Sequence, residues 1–386
     1  MNSWHVLTPE LPPDCGGVGH YAAQVAGALA EAGDRVSVYC PSPPSPSMSV
    51  PSVELIPLPD RFGAKSRQLL GERLDGDRSS RLLVQYVPAV FGERGSNRSF
   101  CRWIGSRVQT GTDVRMMFHE PYLYLQWRPD HLRTAFVQRS MARILLEAAP
   151  TVYLSTDTWR RYLTPYGAAA IARAITLPIP SAIPYVDDPA ATRSVRAQAI
   201  GNGDFLIGHF GTYGRHIAPL LRRIVHDVLS SDSRVVMLCT GAGSDAFVAA
   251  IRAETPGFEN RLTASGRGSA RDISLGLQAC DVVVQPYPDG VTTRRTSVMA
   301  GLANRCAVVS CDGELTEPVW RETSCVSLAA SPHRIGAAVH ELLADRDGRT
   351  ALRDRARATY ASRFDLRHTI DALLETEAPA RVSVVN

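Results

Sequence analysis

Short apolar runs alternate along the whole chain with longer segments in which apolar residues recur roughly every three or four positions. The apolar runs predict β-strands at WHVLTP, RVSVYCP, LLVQYVP, VRMMFH, TVYLST, FLIGHFG, RVVMLCTG, DVVVQPY and CAVVSC. The amphipathic segments predict helices at Val18–Glu31, Asp130–Glu147, Thr156–Tyr166, Ile217–Leu229, Ser244–Glu254, Ala270–Gln278 and Arg295–Ala303. Alternation of this kind is typical of parallel sheets covered by helices.

The alternating pattern occurs twice, and 386 residues suffice for two separate cores. Between the two halves, Thr176–Arg196 is rich in proline and has no sustained period, as is typical of a connection. We therefore predict an α/β protein with a first domain at 1–180, a linker at 181–200 and a second domain at 201–365. A C-terminal helix at about 366–380 is a candidate to pack back on the first domain.

Composition excludes several classes of protein. With 42 basic and 38 acidic residues the net charge is only +4, which does not favour nucleic-acid binding. Lys65 is the only lysine, so anion sites must use arginine, histidine or backbone groups. The eight cysteines are scattered without a CxxC pair, which favours buried reduced thiols over zinc or disulfides. No leader-like start or apolar span of about 18 residues is present, so we expect a cytoplasmic protein.

Residues 286–303, PYPDGVTTRRTSVMAGLA, form the most informative segment. A predicted strand ends there in a Pro/Gly turn, and a helix opens with Thr292, Thr293, Arg294 and Arg295. The start of a helix has unpaired N–H groups and the positive end of the helix dipole. Arginines and hydroxyl groups at that position predict a site for a phosphate or a diphosphate.

A glycine-rich loop, Cys15–His20, joins the first predicted strand to the first predicted helix. Its glycines, Gly16, Gly17 and Gly19, would let a ligand approach the backbone closely. The spacing differs from the GxGxxG pattern of dinucleotide-binding loops, so a dehydrogenase is the least favoured class. On the residues alone, a structural and a functional role for these glycines stay equally open.

Two further turns follow successive strands of the second half. The first contains Gly211, Arg215 and His216, and the second contains Gly241 and Gly243. Arg215 adds a positive charge next to a helix start. Together with the arginines at 294 and 295, these turns predict a nucleotide-binding edge.

His119 and Glu120 follow the strand VRMMFH. In open α/β sheets, ligands bind at the carboxyl ends of the strands, so both residues stand where chemistry is expected. A structural, hydrogen-bonded histidine is the equally weighted alternative.

Two other features have simpler explanations. Asp75-Gly76-Asp77 has the DxD form of a metal site but lies among charged residues, so we interpret it as a solvated turn. The helix with Arg133, Arg139 and Arg143 is a candidate for weak, peripheral contact with the inner face of a membrane. An ordinary amphipathic covering helix is the preferred interpretation.

Taken together, these motifs resemble the retaining GT-B glycosyltransferases of family four. The resemblance extends over most of the chain, through LTPELPPDCGGVGHYAAQVAGALAEAGDRVSVYCP, FHEPY, FGTYGRH, TGAGS, ACDVVVQPYPDG and RRTSVMAGLANRCAVVS. It implies two Rossmann-like domains that face a central cleft. The C-terminal domain would bind the nucleotide-sugar, and the N-terminal domain would bind the acceptor.

The resemblance also implies roles for individual residues. His119 would face the transferred sugar, Arg215 would steady the diphosphate, and Glu120 is a weakly supported candidate nucleophile. The remaining donor-diphosphate candidates are Gly16, Gly17, Gly19, His216, Thr292, Thr293, Arg294 and Arg295. The candidates for nucleotide or sugar contact are Gly211, Gly241, Gly243, Ser265, Arg267, Asp289, Gly290 and Ser297.

One departure from the family pattern concerns its pair of glutamates before the helix that ends this segment. Asp289-Gly290 can stand for the first Glu-Gly pair. The second glutamate falls on Ser297 or on Ala300, depending on the register. Neither residue can bind ribose hydroxyls as a carboxylate would.

The function that the resemblance implies is transfer of a sugar from a UDP- or GDP-sugar to an unidentified acceptor hydroxyl. The anomeric configuration would be retained, and neither a metal nor another cofactor is expected. Such a bacterial enzyme would act in glycan or natural-product biosynthesis. The alternatives are a GT-B epimerase or hydrolase of sugar nucleotides, or a non-catalytic partner that binds a nucleotide-sugar for another transferase.

Overall fold

The computed structural model describes residues 2–12, 16–41, 52–77, 79–92, 95–122 and 129–375. The chain forms two compact units. The first unit comprises Met1–Pro178 together with Leu366–Asn386, and the second comprises Ile179–Asp365.

Strands and helices alternate in both units. The strands are β1 (Ser3–Leu7), β2 (Arg35–Cys40), β3 (Val53–Pro57), β4 (Arg81–Tyr86), β5 (Asp113–Phe118), β6 (Thr151–Leu154), β7 (Ile175–Thr176), β8 (Phe205–Phe210), β9 (Val235–Thr240), β10 (Leu262–Gly266), β11 (Val282–Val284), β12 (Val308–Cys311) and β13 (Ser327–Ala329). The α-helices are α1 (Gly17–Glu31), α2 (Ala64–Gly76), α3 (Arg98–Gln109), α4 (Pro129–Ala148), α5 (Trp159–Arg173), α6 (Pro189–Ile200), α7 (Ala218–Ser231), α8 (Ser244–Glu254), α9 (Ala270–Ala279), α10 (Thr296–Ala303), α11 (Pro318–Thr323), α12 (Ile335–Ala344), α13 (Arg346–Thr359) and α14 (Leu366–Glu375). A 3-10 turn at Pro332–Arg334 and a π-helical turn at Tyr360–Phe364 complete the regular structure.

The first unit contains a parallel sheet of seven strands in the order β3-β2-β1-β4-β5-β6-β7. Its central strands are apolar and buried on both faces, as parallel sheets require when helices cover them. The direction in which the chain adds strands reverses between β1 and β4. Ligands of open α/β sheets bind at such a reversal, beyond the carboxyl ends of the strands.

Helix α14 packs against α1 and so completes the first unit. Arg115, on β5, is fully buried, and its Nη1 donates a hydrogen bond of 2.6 Å to the carbonyl of Leu373 in α14. The same guanidinium is paired with Asp113 at 3.0 Å. The buried ion pair lets a charged side chain tie the C-terminal helix to the sheet without leaving an uncompensated charge.

The second unit contains a parallel sheet of six strands in the order β10-β9-β8-β11-β12-β13. Alternate residues of β11 point to opposite faces: Val282 and Val284 pack in one apolar cluster, and Val283 packs in the other. The strand order reverses between β8 and β11. This second reversal lies beside the loops that the sequence marks as a nucleotide-binding edge.

All strands and helices named from the apolar pattern are present. The pattern missed β3, β7, β10 and β13, which are short or lie at sheet edges. It also missed α2, α3, α6 and α11. The segment predicted as a linker, 181–200, is not a free connection, because its helix α6 packs against α9 within the second unit.

Candidate functional site

Four loops of the second unit lie at one edge of its sheet. They follow β8, β9, β10 and β11, which are neighbours in the sheet, and they carry most of the predicted nucleotide contacts. Parallel strands end at a common edge, so the sheet brings together loops that lie far apart in the sequence. We call these four loops the carboxyl edge of the second unit.

The backbones of the first two loops touch. The N–H of Gly211 donates to the carbonyl of Thr240 at 3.1 Å. Gly241 has a φ of +113°, and a Cβ at this position would lie 2.2 Å from the carbonyl oxygen of Gly211. Glycine is required at 241, because a side chain there would collide with the Gly211 carbonyl and the positive φ strains any other residue.

The third loop is tied to the second by side chains and backbone. The N–H of Gly241 donates to the carbonyl of Gly266 at 2.9 Å, and the hydroxyl of Ser265 donates to Thr240 Oγ1 at 2.9 Å. Gly243 is the left-handed residue that precedes α8. Arg267, at the tip of the loop, is exposed.

Tyr213 anchors the first loop. Its hydroxyl donates to the carbonyl of Thr240 at 3.2 Å, and its ring packs against Phe247 with the centroids 4.9 Å apart. Burial raises the pKa of the Tyr213 hydroxyl, so it stays a neutral donor. These contacts of Tyr213 fix the beginning of the loop that carries Arg215.

Arg215 and His216 stand exposed at the end of this loop. The Nε of Arg215 donates to His216 Nε2 at 3.1 Å. The two side chains are therefore in contact with each other, and Arg215 gives this loop a permanent positive charge.

The fourth loop leads to α10, which begins at Thr296, and the side chain of its N-cap residue, Arg295, makes no capping hydrogen bond. Arg294 and Arg295 are half-buried just before this helix. The Arg295 guanidinium lies over the ring of Tyr287, 4.2 Å from its centroid. The N–H groups at the start of α10 and the two arginines beside it are suited to bind an anion.

The two threonines of the same loop point into the protein. Thr293 is buried, and its N–H and hydroxyl both donate to the carboxylate of Glu317, the hydroxyl at 3.0 Å. Thr292 is fully buried, and its hydroxyl has no partner in the part of the chain that the structure describes. Glu317 accepts hydrogen bonds from both donor groups of Thr293, and phosphate contact through Thr293 stays a prediction.

Glu317 is the residue of this site that the sequence did not reveal. It precedes α11, lies 24 positions beyond Thr293 and is only 3% exposed. A buried carboxylate needs donors close by. Here those donors are the N–H and hydroxyl of Thr293, so Glu317 fixes the loop that carries the arginines.

Asp289 and Gly290 form a tight turn. Gly290 has a φ of +100°, and a Cβ there would lie 2.4 Å from Thr316 Oγ1. Asp289 is exposed, and its carbonyl accepts the N–H of Leu315 at 2.8 Å. The close packing explains the glycine without requiring a bound sugar.

Both candidate positions for the second glutamate hold small, buried side chains. The hydroxyl of Ser297 donates to Gln285 Oε1 at 3.0 Å and is bonded to Tyr287 at 2.5 Å. Ala300 is fully buried in the apolar cluster below α10. Neither register places a carboxylate at this point.

In the first unit, the glycine loop is already bound to an anionic group of the chain itself. The N–H groups of Gly16 and Gly19 donate to Glu10 Oε1 at 2.9 and 3.4 Å. A Cβ on Gly16 would lie 2.9 Å from that oxygen. In this structure Glu10 therefore takes two of the N–H groups of the loop, and the phosphate contacts of Gly16, Gly17 and Gly19 stay predictions. Cys15 lies outside the described residues.

His119 is buried at the carboxyl end of β5, and the half-buried Glu120 follows it. The His119 ring donates through Nε2 to Gln85 Oε1 at 2.7 Å. The carbonyl of His119 accepts the indole N–H of Trp159 at 2.9 Å. These bonds fix the ring, so His119 is suited to orienting a ligand rather than to moving a proton through Nε2.

The features that the sequence set aside are explained by ion pairs and burial. Asp75 is paired with Arg107 at 2.7 Å, and Asp77 with Arg35 at 3.0 Å. Seven cysteines in the described ranges are free and buried, and burial raises the pKa of Cys239 to about 12. These observations confirm inert thiols for those seven cysteines.

No group of three or more His, Cys, Asp or Glu side chains within the described ranges is arranged to hold a metal ion. The same ranges contain no helix that is long and apolar enough to cross a membrane. On α4, Phe136 is 62% exposed and lies near the exposed Arg133 and Arg143, whereas Arg139 packs over Tyr122.

Comparison with known proteins decides the fold. No protein-family profile and no curated protein sequence matches the chain. Among solved structures, HepE from Anabaena in complex with UDP is similar at 16% identity and a TM-score of 0.70, over 97% of this chain and 99% of that one. The chain has the GT-B fold.

Two further solved structures agree with this GT-B assignment. Sucrose-phosphate synthase from Thermosynechococcus elongatus is 14% identical with a TM-score of 0.72, over 97% of this chain and 98% of that chain. A glycosyltransferase from Rickettsia africae is 10% identical with a TM-score of 0.73, over 97% and 99% of the two chains. Identities this low establish only the GT-B architecture. Any argument about substrates must therefore rest on the residues of this chain.

Proposed function

We propose that this GT-B protein is a glycosyltransferase that moves a sugar from a nucleoside-diphosphate sugar to an acceptor hydroxyl. The observation that carries the proposal is the carboxyl edge of the second unit. Arg215, Arg294 and Arg295 stand there next to the starts of α7 and α10, on loops that flank the strand-order reversal. Arginine forks and helix starts suit the oxygens of a diphosphate.

The same groups account for the chemistry. When the bond between sugar and diphosphate breaks, negative charge grows on the leaving phosphate. Preorganised arginines and N–H groups stabilise that charge without reorganising. The acceptor hydroxyl would attack from the side of the leaving group, with retention, and the departing phosphate would take its proton.

No metal is needed in this scheme, because arginines neutralise the diphosphate. His119 is proposed to position the transferred sugar, in keeping with its fixed ring. UDP is the first nucleotide to test, since HepE was solved with UDP and with UDP-glucose. Activity in the cytoplasm and weak contact of α4 with a membrane remain predictions.

A second candidate function is a non-catalytic partner that binds a nucleotide-sugar. One observation favours it: the positions where the resemblance expects a glutamate hold Ser297 and Ala300. The same anion site would then serve binding alone.

The first experiment is a thermal-shift panel of UDP, GDP and their sugar conjugates on the wild type and on Arg295→Ala. We expect one diphosphate to raise the melting temperature of the wild type and to do so far less for the variant. A wild type that no nucleotide stabilises would refute the anion site.

The second experiment separates an enzyme from a binding partner. The preferred donor is incubated with acceptors from cell extract, and products are analysed by mass spectrometry. We expect a mass gain equal to one sugar residue, which His119→Ala abolishes. Donor binding without any such product would support the non-catalytic partner.

A further inference from the structure

His209 is the next-to-last residue of β8, one of the two strands between which the strand order of the second unit reverses. Its Nδ1 lies 2.8 Å from the carbonyl oxygen of Val284 on β11. A carbonyl only accepts, so Nδ1 carries the proton and Nε2 has a lone pair. The side chain is 3% exposed, and Nε2 has no hydrogen-bond partner in the described ranges.

The lone pair faces the first glycine turn of the carboxyl edge. Nε2 lies 3.6 Å from the point that a Cβ on Gly211 would occupy, and Ser297 Cβ lies 3.8 Å from the same point. The ring meets that of Tyr213 edge-on, with the centroids 5.3 Å apart. Nε2 is closed off from solvent, but because Gly211 has no side chain, only backbone would have to move on that side for a group to reach this nitrogen.

The polar groups beside His209 are bonded to one another. Ser297 Oγ is bonded to Gln285 Oε1 and to Tyr287, and Gln285 Nε2 donates to the carbonyl of Phe210 at 2.9 Å. His209 Nε2 is left out of this network. A buried acceptor without a donor is costly, so a native protein normally supplies one.

Burial lowers the pKa of His209 to about 4, so the ring is neutral at physiological pH. The ring therefore offers a hydrogen-bond acceptor rather than a positive charge. The donor that it lacks must be a neutral or positively charged group, and a phosphate oxygen does not qualify.

We propose that His209 Nε2 accepts a hydrogen bond from a hydroxyl group of the bound nucleotide-sugar. This inference rests on the function proposed above and names the residue that takes over hydroxyl recognition where no carboxylate is present. The glycine turn at Gly211 would shift slightly to admit the hydroxyl. The hydroxyl belongs either to the ribose or to the transferred sugar, and the experiment separates the two.

The test compares the wild type with His209→Asn by titration calorimetry. An asparagine amide can still donate to the carbonyl of Val284, but it places no acceptor at the position of Nε2. If the ribose hydroxyl is the donor, the variant binds both UDP and UDP-glucose about tenfold more weakly, the loss expected for one hydrogen bond. If a sugar hydroxyl is the donor, only UDP-glucose loses affinity.

Ligands that lack one hydroxyl close the thermodynamic cycle. In the ribose case, 2′-deoxy-UDP or 3′-deoxy-UDP should bind the wild type about tenfold more weakly than UDP, and the variant should not discriminate further. In the sugar case, UDP-glucose analogues that lack one glucose hydroxyl take the same place. The melting temperature without ligand shows whether the variant is folded.

A second measurement needs no substitution. The ¹⁵N signal of the unprotonated His209 nitrogen should move upfield when the wild type is saturated with UDP-glucose, because the lone pair becomes engaged. An unmoved signal, or equal affinities of wild type and variant for UDP and UDP-glucose, would mean that only buried water contacts this nitrogen and would overturn the inference. A wild type that binds no nucleotide or nucleotide-sugar of the thermal-shift panel would refute the proposed function itself.

Discussion

The starts of α1 and α10 look alike in sequence but differ in what they contact. At α1, Glu10 of the same chain accepts the N–H groups of Gly16 and Gly19. At α10, within the described residues, no carboxylate is seen to accept the first N–H groups of the helix, and Arg294 and Arg295 stand beside it. A glycine-rich or polar helix start therefore predicts an anion, but only the fold shows whether the protein supplies that anion itself.

The difference also concerns where acidic side chains are used. In the second unit, Glu317 binds Thr293 behind the arginine loop, so its charge supports the loop from inside. In the first unit, Glu10 lies at the helix start itself. Glu317 supports the loop of the proposed anion site, and Glu10 binds the N–H groups at the start of α1.

The largest expected effect tests the backbone contact of the second unit. Gly241→Ala should lower the free energy of unfolding by about 3 kcal/mol, because a methyl group would collide with the Gly211 carbonyl and the backbone would be strained. Chemical denaturation measures this loss. Gly33→Ala is the matched control: it has a φ of +92° with no atom within 4 Å, so only the backbone cost of about 1 kcal/mol applies. Equal losses would show that the close approach is unimportant.

The second largest loss of stability is expected when the carboxylate of Glu317 is removed. Glu317→Ala removes the carboxylate that accepts hydrogen bonds from the N–H and the hydroxyl of the buried Thr293, so we expect a loss of about 2.5 kcal/mol in unfolding free energy. Glu317→Gln should lose less, because its amide oxygen still accepts. The exposed Glu322 provides the control, since Glu322→Ala should change stability by less than about 0.5 kcal/mol. A Glu317→Ala protein as stable as this control would contradict the supporting role.

The arginine side of the comparison is tested by ligand affinity. Arg295→Ala should weaken the binding of a nucleoside diphosphate by about 30-fold, equivalent to about 2 kcal/mol for charged hydrogen bonds. The difference should shrink as salt is added. Arg234→Ala, at the amino end of β9 and paired with Asp232, should bind as the wild type does. Similar affinities of the two variants for the nucleotide would show that the arginines do not belong to the binding site.

The smallest effect concerns the first unit. Glu10→Ala should lower the free energy of unfolding by about 1 kcal/mol, because α1 loses the acceptor for two N–H groups. Nucleotide affinity should not change, since this helix start is served by the chain itself. A tighter nucleotide complex in calorimetry would break the comparison, because it would show that Glu10 competes with a phosphate for the same N–H groups.

Much of the GT-B architecture could be predicted from local patterns. Apolar runs such as VVMLCT are long enough to be buried on both faces of a parallel sheet, and they became β9 and its neighbours. The edge strand β10, LTASG, was not predicted, because it is short and carries polar residues. Its pairing with β9 depends on tertiary contacts. Helix α6 was hidden by the prolines that precede it.

The candidate site was predicted only in part, because some of its features are local to the turns and others depend on remote residues. The residue types in the turns identified Gly211, Gly241 and Arg215, because the backbone freedom of glycine and the positive charge of arginine do not depend on tertiary contacts. The partners of Thr293 and Gly16 were missed, because Glu317 and Glu10 lie outside the turns that they serve. Nothing in the local sequence of either glutamate signals a buried or capping carboxylate.

By itself, the sequence determined where strands, helices and glycine turns form, because burial periodicity and backbone freedom are local properties of the chain. Only the tertiary structure decided which of those turns meet, which helix start the chain caps with its own carboxylate, and which buried nitrogen lacks a donor. These outcomes depend on distances between groups that are remote in sequence. Hydrogen bonds act over about 3 Å, and folding alone brings such groups that close.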